Sequence, residues 1–416
     1  MENYGIVIVI MALMIGASGL AGKLRLPVPV LLILVGMIAG FTPAIRPIML
    51  DPHIIMLIFL PPLLYDAAFN ISFQEFRTNI NTIGTLAIGL VFLTTAGIAV
   101  VSHFLIPGMS WPLSFVLGAI LSATDAVAAM GITKGLHLPH NTTTILEGES
   151  LVNDASALVA YRFAVAAVTG VVFVWWHASL TFLLVLGGGF LVGIVLARLL
   201  ALALRWFRTN DMVVIALMLL MPFVTYLLAE EIKVSGVIAV VILGVSMSRL
   251  SREKFPERLK DQSRHFWDVI IFLLNGLIFV LIGLQFPIVW KRIDPGQIWP
   301  YIGYAAVITV AAFGIRLVRV FLQQVNLERA FSKKQRVSRE ALLDSGTSLI
   351  ISWAGMRGIV SLAIAIGLPT TLDDGRPFPM RNDIIFLTIA VVVLSLLGQG
   401  LTLPWIVSRF SKKPHV

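Results

Sequence analysis

The chain has 416 residues, of which 58% are hydrophobic and only 13% carry a charge. A soluble protein would carry about 25% charged residues, so this composition excludes a soluble enzyme or binding domain and indicates an integral membrane protein. The net charge of +9 could suggest a polyanion, but the basic residues fall between apolar runs, and we expect no nucleic-acid partner. Because the sequence contains no cysteine, thiol catalysis and structural disulfides are excluded.

Apolar runs long enough to cross a bilayer recur along the whole chain. Period-two alternation is absent from them, so we predict an all-α membrane protein rather than a membrane barrel. The first run follows Met1–Tyr4, which lacks the basic region of a signal peptide, and we interpret it as a retained span. The thirteen predicted transmembrane helices are 5–21, 28–41, 53–70, 82–105, 113–131, 148–175, 179–203, 211–230, 235–249, 266–286, 298–321, 349–367 and 384–409.

Basic residues between the spans predict the orientation of the chain. With the amino terminus outside, most of the 31 Lys and Arg residues fall on the inner side, including the clusters Arg249–Arg264 and Arg329–Arg339. An odd number of spans then places the carboxyl terminus in the cytoplasm. We therefore predict a multi-pass protein of the cell membrane that is surrounded by lipid.

The segment 122–154 places several carboxylates inside otherwise apolar spans. Asp125 lies in the fifth span, and Asp154 ends the string Glu-Gly-Glu-Ser-Leu-Val-Asn-Asp in the sixth. Since the fifth span enters from outside and the sixth from inside, both aspartates reach the middle of the bilayer. A charge at that depth costs at least a few kcal/mol unless it is neutralised, so these acids are candidates for an ion or proton site.

The sixth span carries oxygen ligands on adjoining faces. Ser150 and Asp154 are four residues apart and share one helical face, while Glu149 and Asn153 share the next. Hydroxyl, amide and carboxylate oxygens suit a hard cation such as Na⁺ or Li⁺, and they suit K⁺ as well, so the preferred cation stays open. Thr124 adds a hydroxyl beside the acids, although alone it would indicate only helix packing.

Small residues interrupt the fifth and twelfth spans at corresponding places. They surround Asp125 in the fifth span, and Gly355 and Gly358 flank Arg357 in the twelfth. Paired interruptions of this kind are typical of broken helices that cross at the substrate site of a transporter. We therefore predict two broken, crossing helices.

Some charged residues of the spans permit two interpretations. Arg316 and Arg319 lie near an inner helix end, where they could simply extend to the interface. Glu149 is either an ion ligand or the partner of Arg357 in a pair that holds helices together. Asp66, which follows a Pro-Pro pair in the third span, is either a site residue or a structural acid.

Two other functional classes also use acids in the middle of the membrane. An intramembrane aspartyl protease needs two such aspartates, and Tyr65-Asp66 gives half of its signature, but the Gly-x-Gly-Asp partner is absent. A cation channel would show conductance instead of coupled exchange. We expect neither an enzyme nor a resident cofactor.

Four motifs resemble those of the monovalent cation:proton antiporters, in the branch of the NhaP-type sodium/proton exchangers. They occur in the expected order over nearly the whole chain. The motifs are Pro61-Pro62-Leu63-Leu64-Tyr65-Asp66, Ala123-Thr124-Asp125-Ala126-Val127, Glu147-Gly148-Glu149-Ser150-Leu151-Val152-Asn153-Asp154 and Gly355-Met356-Arg357-Gly358-Ile359-Val360-Ser361-Leu362-Ala363.

The resemblance implies a fold of thirteen helices with an inverted repeat and a homodimer. Its ion-carrying core would comprise about 82–175 and 298–409, and its dimerisation part about 5–70 and 179–286. The implied function is electroneutral one-for-one exchange of Na⁺ or Li⁺ for H⁺. A K⁺/H⁺ antiporter of the same fold is the alternative.

The resemblance also implies the residues of the ion site. Asp154 would bind either the cation or the proton. Asp125, Ser150 and the backbone carbonyl of Thr124 would complete the Na⁺ site, and Asp66 would contribute from the third span, with water as a possible bridge. Competition of the two ions for Asp154, combined with alternating access, would produce antiport.

Three further residues would support the site. The resemblance implies that Glu149 and Arg357 form a stabilising buried pair, and that Asn153 accompanies electroneutral exchange.

A bare carboxylate at Asp154 would cost several kcal/mol to move through a low-dielectric barrier, so it would cross only when an ion is bound. The chain ends soon after the last predicted span, so we expect no long regulatory tail.

Overall fold

The computed structural model describes residues 3–24, 28–42, 52–71, 78–133, 140–169, 175–207, 210–333, 342–372 and 374–410. Within these ranges the regular structure is helical, apart from an isolated antiparallel β-bridge between Thr371 and Pro377. The predicted all-α class is therefore confirmed. Seven described segments are long and apolar enough to cross a membrane, judged by length and composition.

The described helices follow the predicted spans in order, and several extend beyond them. A π-helical turn, Thr85–Gly89, joins α4 to α5, and a short 3₁₀ turn, Pro295–Gln297, precedes α13. The helices are α1 Asn3–Leu24, α2 Val28–Phe41, α3 Pro52–Asn70, α4 Ile80–Gly84, α5 Leu90–Leu105, α6 Trp111–Ser122, α7 Ala126–Thr133, α8 His140–Val168, α9 Trp175–Phe207, α10 Asp211–Glu231, α11 Gly236–Lys254, α12 Glu257–Trp290, α13 Ile298–Ser332, α14 Ser345–Trp353, α15 Ile359–Ile366 and α16 Arg381–Phe410.

The chain divides into two compact units. The first contains Met1–Leu50, Arg77–Val171 and Gly276–Val416, and the second contains Asp51–Phe76 and Val172–Asn275. The boundary between the units falls within α12. The predicted division into an ion-carrying core and a dimerisation part has other boundaries, and it stays a prediction.

The first unit contains both interrupted helices. The backbone becomes extended at Ala123, which ends α6, and the helix resumes as α7 three residues later. In the twelfth predicted span α14 ends at Trp353, and α15 begins at Ile359 after an irregular stretch. The predicted interruptions at Asp125 and Arg357 are therefore present.

The helix that carries Asp154 is packed inside the first unit. α8 contacts α4, α5, α6, α7, α14 and the π-helical turn. Its small residues Ala155 and Ala157 are buried and allow these neighbours to approach closely. This packing holds the polar string of α8 in the interior of the unit.

The second unit is built from α3, α9, α10, α11 and the first part of α12. Two of its helices begin with side-chain caps, in which Asn210 accepts from the N–H of Val213 and Ser235 accepts from the N–H of Ile238. α3 continues through Pro61-Pro62 and packs against α10 and α11. Asp66 lies on α3 and belongs to this unit.

Candidate functional site

The two interrupted helices of the first unit are joined by hydrogen bonds at their irregular stretches. The N–H of Asp125 donates to the carbonyl of Met356 at 2.8 Å. The hydroxyl of Ser361 donates to the carbonyl of Ala123 at 3.4 Å. One backbone pair and one side-chain hydroxyl thus satisfy polar groups that the helix interruptions leave without helical partners, and they hold the two broken helices together.

Asp125 caps the beginning of two half-helices. Its Oδ1 accepts from the N–H of Ala128 at 3.0 Å, in the first turn of α7. Its Oδ2 accepts from the N–H of Ile359 at 3.2 Å, at the beginning of α15. The first N–H groups of a helix have no partner within the helix and carry partial positive charge, so one carboxylate serves two helix ends here.

Within the described part of the chain, Asp154 is a buried carboxylate with an unsatisfied hydrogen-bond acceptor. It is 8% exposed, and its Oδ1 accepts no hydrogen bond from any residue that the structure describes. The charges of Asp125 and Glu149 lie close enough to repel that of Asp154. A buried, repelled and incompletely bonded carboxylate gains free energy by binding a cation or a proton.

A polar network connects α8 to the irregular stretch at Thr124. The amide of Asn153 donates to Thr124 Oγ1 at 2.8 Å, and that hydroxyl donates to Glu149 Oε1 at 3.4 Å. Ser150 Oγ donates to the backbone carbonyl of Thr124 at 3.2 Å. The network therefore joins four of the residues predicted for the site or its support, and three of them lie on the same helix as Asp154.

Glu149 does not pair with Arg357, and this part of the sequence interpretation is wrong. Arg316 of α13 contacts both carboxylate oxygens of Glu149, with Nη2 and Oε2 2.8 Å apart. Arg316 is only 1% exposed and also donates from Nε to the carbonyl of Ile351 at 3.1 Å. The planar guanidinium fits a carboxylate in this two-bond arrangement, so Arg316 is a buried partner and does not extend to the interface.

Arg357 binds carbonyls of the broken helices instead. Its Nε donates to the carbonyl of Leu121 at 2.9 Å, and Nη1 donates to the carbonyl of Gly355 at 2.8 Å. The last carbonyls of a helix lack partners within it and carry partial negative charge. The arginine thus stabilises the end of α6, where the helix stops inside the unit.

Asp66 occupies a separate environment in the second unit. Its Oδ1 accepts from the side chain of Asn70 at 3.1 Å. The aspartate lines a cavity of about 340 Å³ together with Arg264, Trp267, Asp268 and other residues of that unit. Its contribution to an ion site stays a prediction.

Comparison with known proteins agrees with these features. The chain matches the family described as "Sodium/hydrogen exchanger, transmembrane" over residues 8–409. It belongs to this exchanger family. The chain is 35% identical to the "Sodium, potassium, lithium and rubidium/H(+) antiporter" of Bacillus pumilus, in an alignment that covers 99% of this chain but only 62% of that relative's length.

Other relatives and a solved structure extend the comparison. The chain is 32% identical to the "Na(+)/H(+) antiporter ApNhaP" of Aphanothece halophytica, over 92% of this chain and 70% of that relative. Its fold is similar to that of the sodium proton antiporter MjNhaP1 from Methanocaldococcus jannaschii. That comparison has a TM-score of 0.73 and 20% identity, and it covers 99% of both chains.

The sequence did contain a signal for the missed partner of Glu149. On α13 the buried positions Ile308, Ala312, Arg316 and Val320 recur every four residues. Arg316 therefore lies on the apolar stripe of its helix, which faces the interior. Its position near a predicted helix end, taken alone, is equally compatible with a side chain that extends to the membrane interface.

Proposed function

We propose that this exchanger is a secondary active antiporter that exchanges Na⁺ or Li⁺ for H⁺ across the membrane. The observation that carries the proposal is the buried Asp154 carboxylate, whose Oδ1 accepts no hydrogen bond from the described residues. The family and the names of the relatives support the same exchange.

Asp154 has two mutually exclusive ligands in this mechanism. Either a cation or a proton neutralises the carboxylate, and an unneutralised charge costs several kcal/mol in a low-dielectric barrier. The site therefore changes its access from one side to the other only when one of the two ions is bound. A gradient of either ion then drives the other in the opposite direction, with alternating access and electroneutral one-for-one exchange.

Neighbouring oxygens complete the cation site in this proposal. Ser150 Oγ and the carbonyl of Thr124 are hydrogen-bonded to each other, and each retains a lone pair for a cation. Asp125 has both carboxylate oxygens on backbone N–H groups, so it acts as a positioned counter-charge and secondary ligand. Asp66 would contribute from α3, with water as a bridge.

A K⁺/H⁺ antiporter is the second candidate. The Bacillus pumilus relative is named for sodium, potassium, lithium and rubidium, and carbonyl and carboxylate oxygens accept all four cations.

The other features of the proposal are thirteen spans related by an inverted repeat, a homodimer, an outer amino terminus and a cytoplasmic carboxyl terminus. The order of the helices, their two interruptions and the likeness to the fold of MjNhaP1 support the proposed spans and repeat. The excess of basic residues on the predicted inner side supports the orientation of the termini.

The test is exchange by purified protein in proteoliposomes that contain a pH-sensitive dye. We expect Na⁺ or Li⁺ to move protons in the native protein, while Asp154→Asn remains folded and shows no exchange, because an amide cannot take up either ion in place of the charge. Ser156→Ala, which removes a hydroxyl that donates to the carbonyl of Val152 on the same helix, is the matched control.

Two additions to the same assay test the finer claims. Parallel pulses of Na⁺, Li⁺ and K⁺ separate the two candidate functions. An imposed membrane potential leaves the rate unchanged if exchange is electroneutral. Sodium-dependent proton movement retained in Asp154→Asn would overturn the proposed role of this residue.

A further inference from the structure

We infer that Ser395 and Gln399 of α16 are positioning residues for Asp125, which they hold through one peptide group of the irregular stretch between α14 and α15. The inference rests on the proposed function and adds to it two residues that lie outside the four motifs. Neither residue contacts the cation in this account. Their effect reaches Asp125 through the backbone.

The peptide group between Met356 and Arg357 is bonded on both sides. Its carbonyl accepts from the N–H of Asp125 at 2.8 Å. Its N–H donates to Ser395 Oγ at 3.1 Å. Because the peptide group is planar, the two hydrogen bonds are mechanically linked, and a rotation that breaks one also misaligns the other.

The helical ladder does not fix this peptide group. Arg357 lies between the end of α14 and the beginning of α15, so its N–H has no helical carbonyl partner. Gly355 and Gly358 flank Met356 and Arg357 and allow a wide range of backbone angles. Ser395 therefore supplies the constraint that the local sequence does not.

Gln399 determines which way the Ser395 hydroxyl points. Serine hydroxyls in helices commonly donate to the carbonyl four residues earlier. Ser395 instead donates to Gln399 Oε1 at 2.7 Å, one turn later on α16. This bond commits the hydroxyl hydrogen to Gln399 and leaves an oxygen lone pair for the N–H of Arg357.

α16 also holds the other end of the break. The indole N–H of Trp353, the last residue of α14, donates to Thr402 Oγ1 at 2.8 Å. Thr402 follows Ser395 by about two helical turns. One continuous helix thus anchors the broken one at two points, and only the Ser395 contact leads directly to Asp125.

The consequence for transport is a loss of cation affinity. Without the Ser395 hydroxyl, the buried N–H of Arg357 lacks a partner and rotates toward another acceptor, which draws the Met356 carbonyl away from Asp125. For Ser395→Ala we expect KM for Na⁺ to rise about three- to tenfold, the range that corresponds to one buried hydrogen bond. The maximal rate should stay within about twofold, because Asp154 itself is untouched.

The experiment compares Ser395→Ala with Ser395→Thr and Thr388→Val. Ser395→Thr keeps the hydroxyl and should restore a nearly native KM. Thr388 is equally buried on α16, but its hydroxyl donates only to the carbonyl of Ile384, so Thr388→Val should behave as the native protein. Gln399→Met frees the Ser395 hydroxyl and should raise KM for Na⁺ by less than Ser395→Ala does. If Ser395→Ala does not fold, Gln399→Met replaces it as the test variant.

Hydrogen–deuterium exchange of the segment 354–361 gives a readout that does not depend on transport. We expect faster exchange in Ser395→Ala and native protection in Thr388→Val. Native protection and native KM in Ser395→Ala, or equal changes in Thr388→Val, would overturn the inference while leaving antiport intact. Faster exchange in Ser395→Ala alone, in a protein that moves no ions, would support the positioning role and refute the proposed function.

Discussion

Arg316 and Glu149 form a buried ion pair that joins α13 to α8. Both side chains are almost completely buried, and the guanidinium holds both carboxylate oxygens. The same arginine also binds the carbonyl of Ile351, so it links α8, α13 and α14. The carboxylate of Glu149 is thus held in place on the helix that also carries Asp154.

Removing one partner of this pair should be costly. In Arg316→Ala the carboxylate of Glu149 stays buried without its counter-charge, and we expect a loss of about 3–5 kcal/mol in the free energy of unfolding. Thermal unfolding of the detergent-solubilised protein measures it. Arg319→Ala, on the same helix but only partly buried, is the control and should cost far less. Equal melting temperatures for the two variants would contradict the assignment.

Gly358 allows the two irregular stretches to approach each other. A Cβ atom at this position would overlap Oδ2 of Asp125. Gly358→Ala should therefore displace that carboxylate, abolish its bond to the N–H of Ile359 and raise KM for Na⁺ at least tenfold, roughly the loss of one charged hydrogen bond.

The comparison for this variant is Gly303→Ala on α13, where a Cβ would have no neighbour within 4 Å. Its KM should stay native, and its stability should be equal or slightly higher, since alanine favours helix more than glycine does. A native KM in Gly358→Ala would show that Asp125 can move without loss of function.

At the scale of elements, the two broken helices of the first unit meet at their irregular stretches, where the N–H of Asp125 donates to the carbonyl of Met356. Asp125 caps α7 and α15, and Arg357 binds carbonyls at the end of α6 and near the end of α14. Positive helix beginnings therefore face a carboxylate, and negative helix ends face a guanidinium. The two charged residues stabilise the half-helices whatever their part in ion binding.

Asp125→Asn tests this double cap. An asparagine side chain has one acceptor oxygen, so it can cap one of the two helices, and we expect a loss of about 1 kcal/mol in the free energy of unfolding. Asp125→Ala removes both caps and should cost about twice as much. The order Asp, Asn, Ala in melting temperature checks the prediction, and equal melting temperatures would contradict it.

The interruptions were predictable because their sequence signal is local. A charged residue among small residues in the middle of an apolar span is typical of a helix that is interrupted there. The π-helical turn Thr85–Gly89 has no comparable signal, since its residues would suit an ordinary helix. Helix length was underestimated where polar turns extend a span, as in α12, which begins at Glu257 and not at the predicted 266.

The partner of Glu149 illustrates the limit of local signals. Arg316 lies 167 residues from Glu149 along the chain. The packing of distant helices decides which of several intramembrane arginines contacts the carboxylate. Spacing within one helix indicates a face but not the neighbour on that face. The role of Ser395 was missed for the same reason, because a buried serine in a membrane helix is ordinary until its contacts are known.

At the scale of the whole molecule, the composition indicates a membrane protein and the ordered motifs indicate the exchanger family, to which the chain belongs. Of the residues proposed for the ion site, Thr124, Asp125, Ser150 and Asp154 lie in one compact unit, while Asp66 lies in the other.

In the proposed mechanism a cation and a proton compete for one carboxylate, that of Asp154. Equilibrium binding of Na⁺ to the purified protein, measured by calorimetry between about pH 5 and pH 9, is the test of this competition. The apparent affinity for Na⁺ should fall as the pH is lowered, by up to about tenfold per pH unit, and binding should disappear in Asp154→Asn. An affinity for Na⁺ that is independent of pH over this range would show that the two ions do not compete.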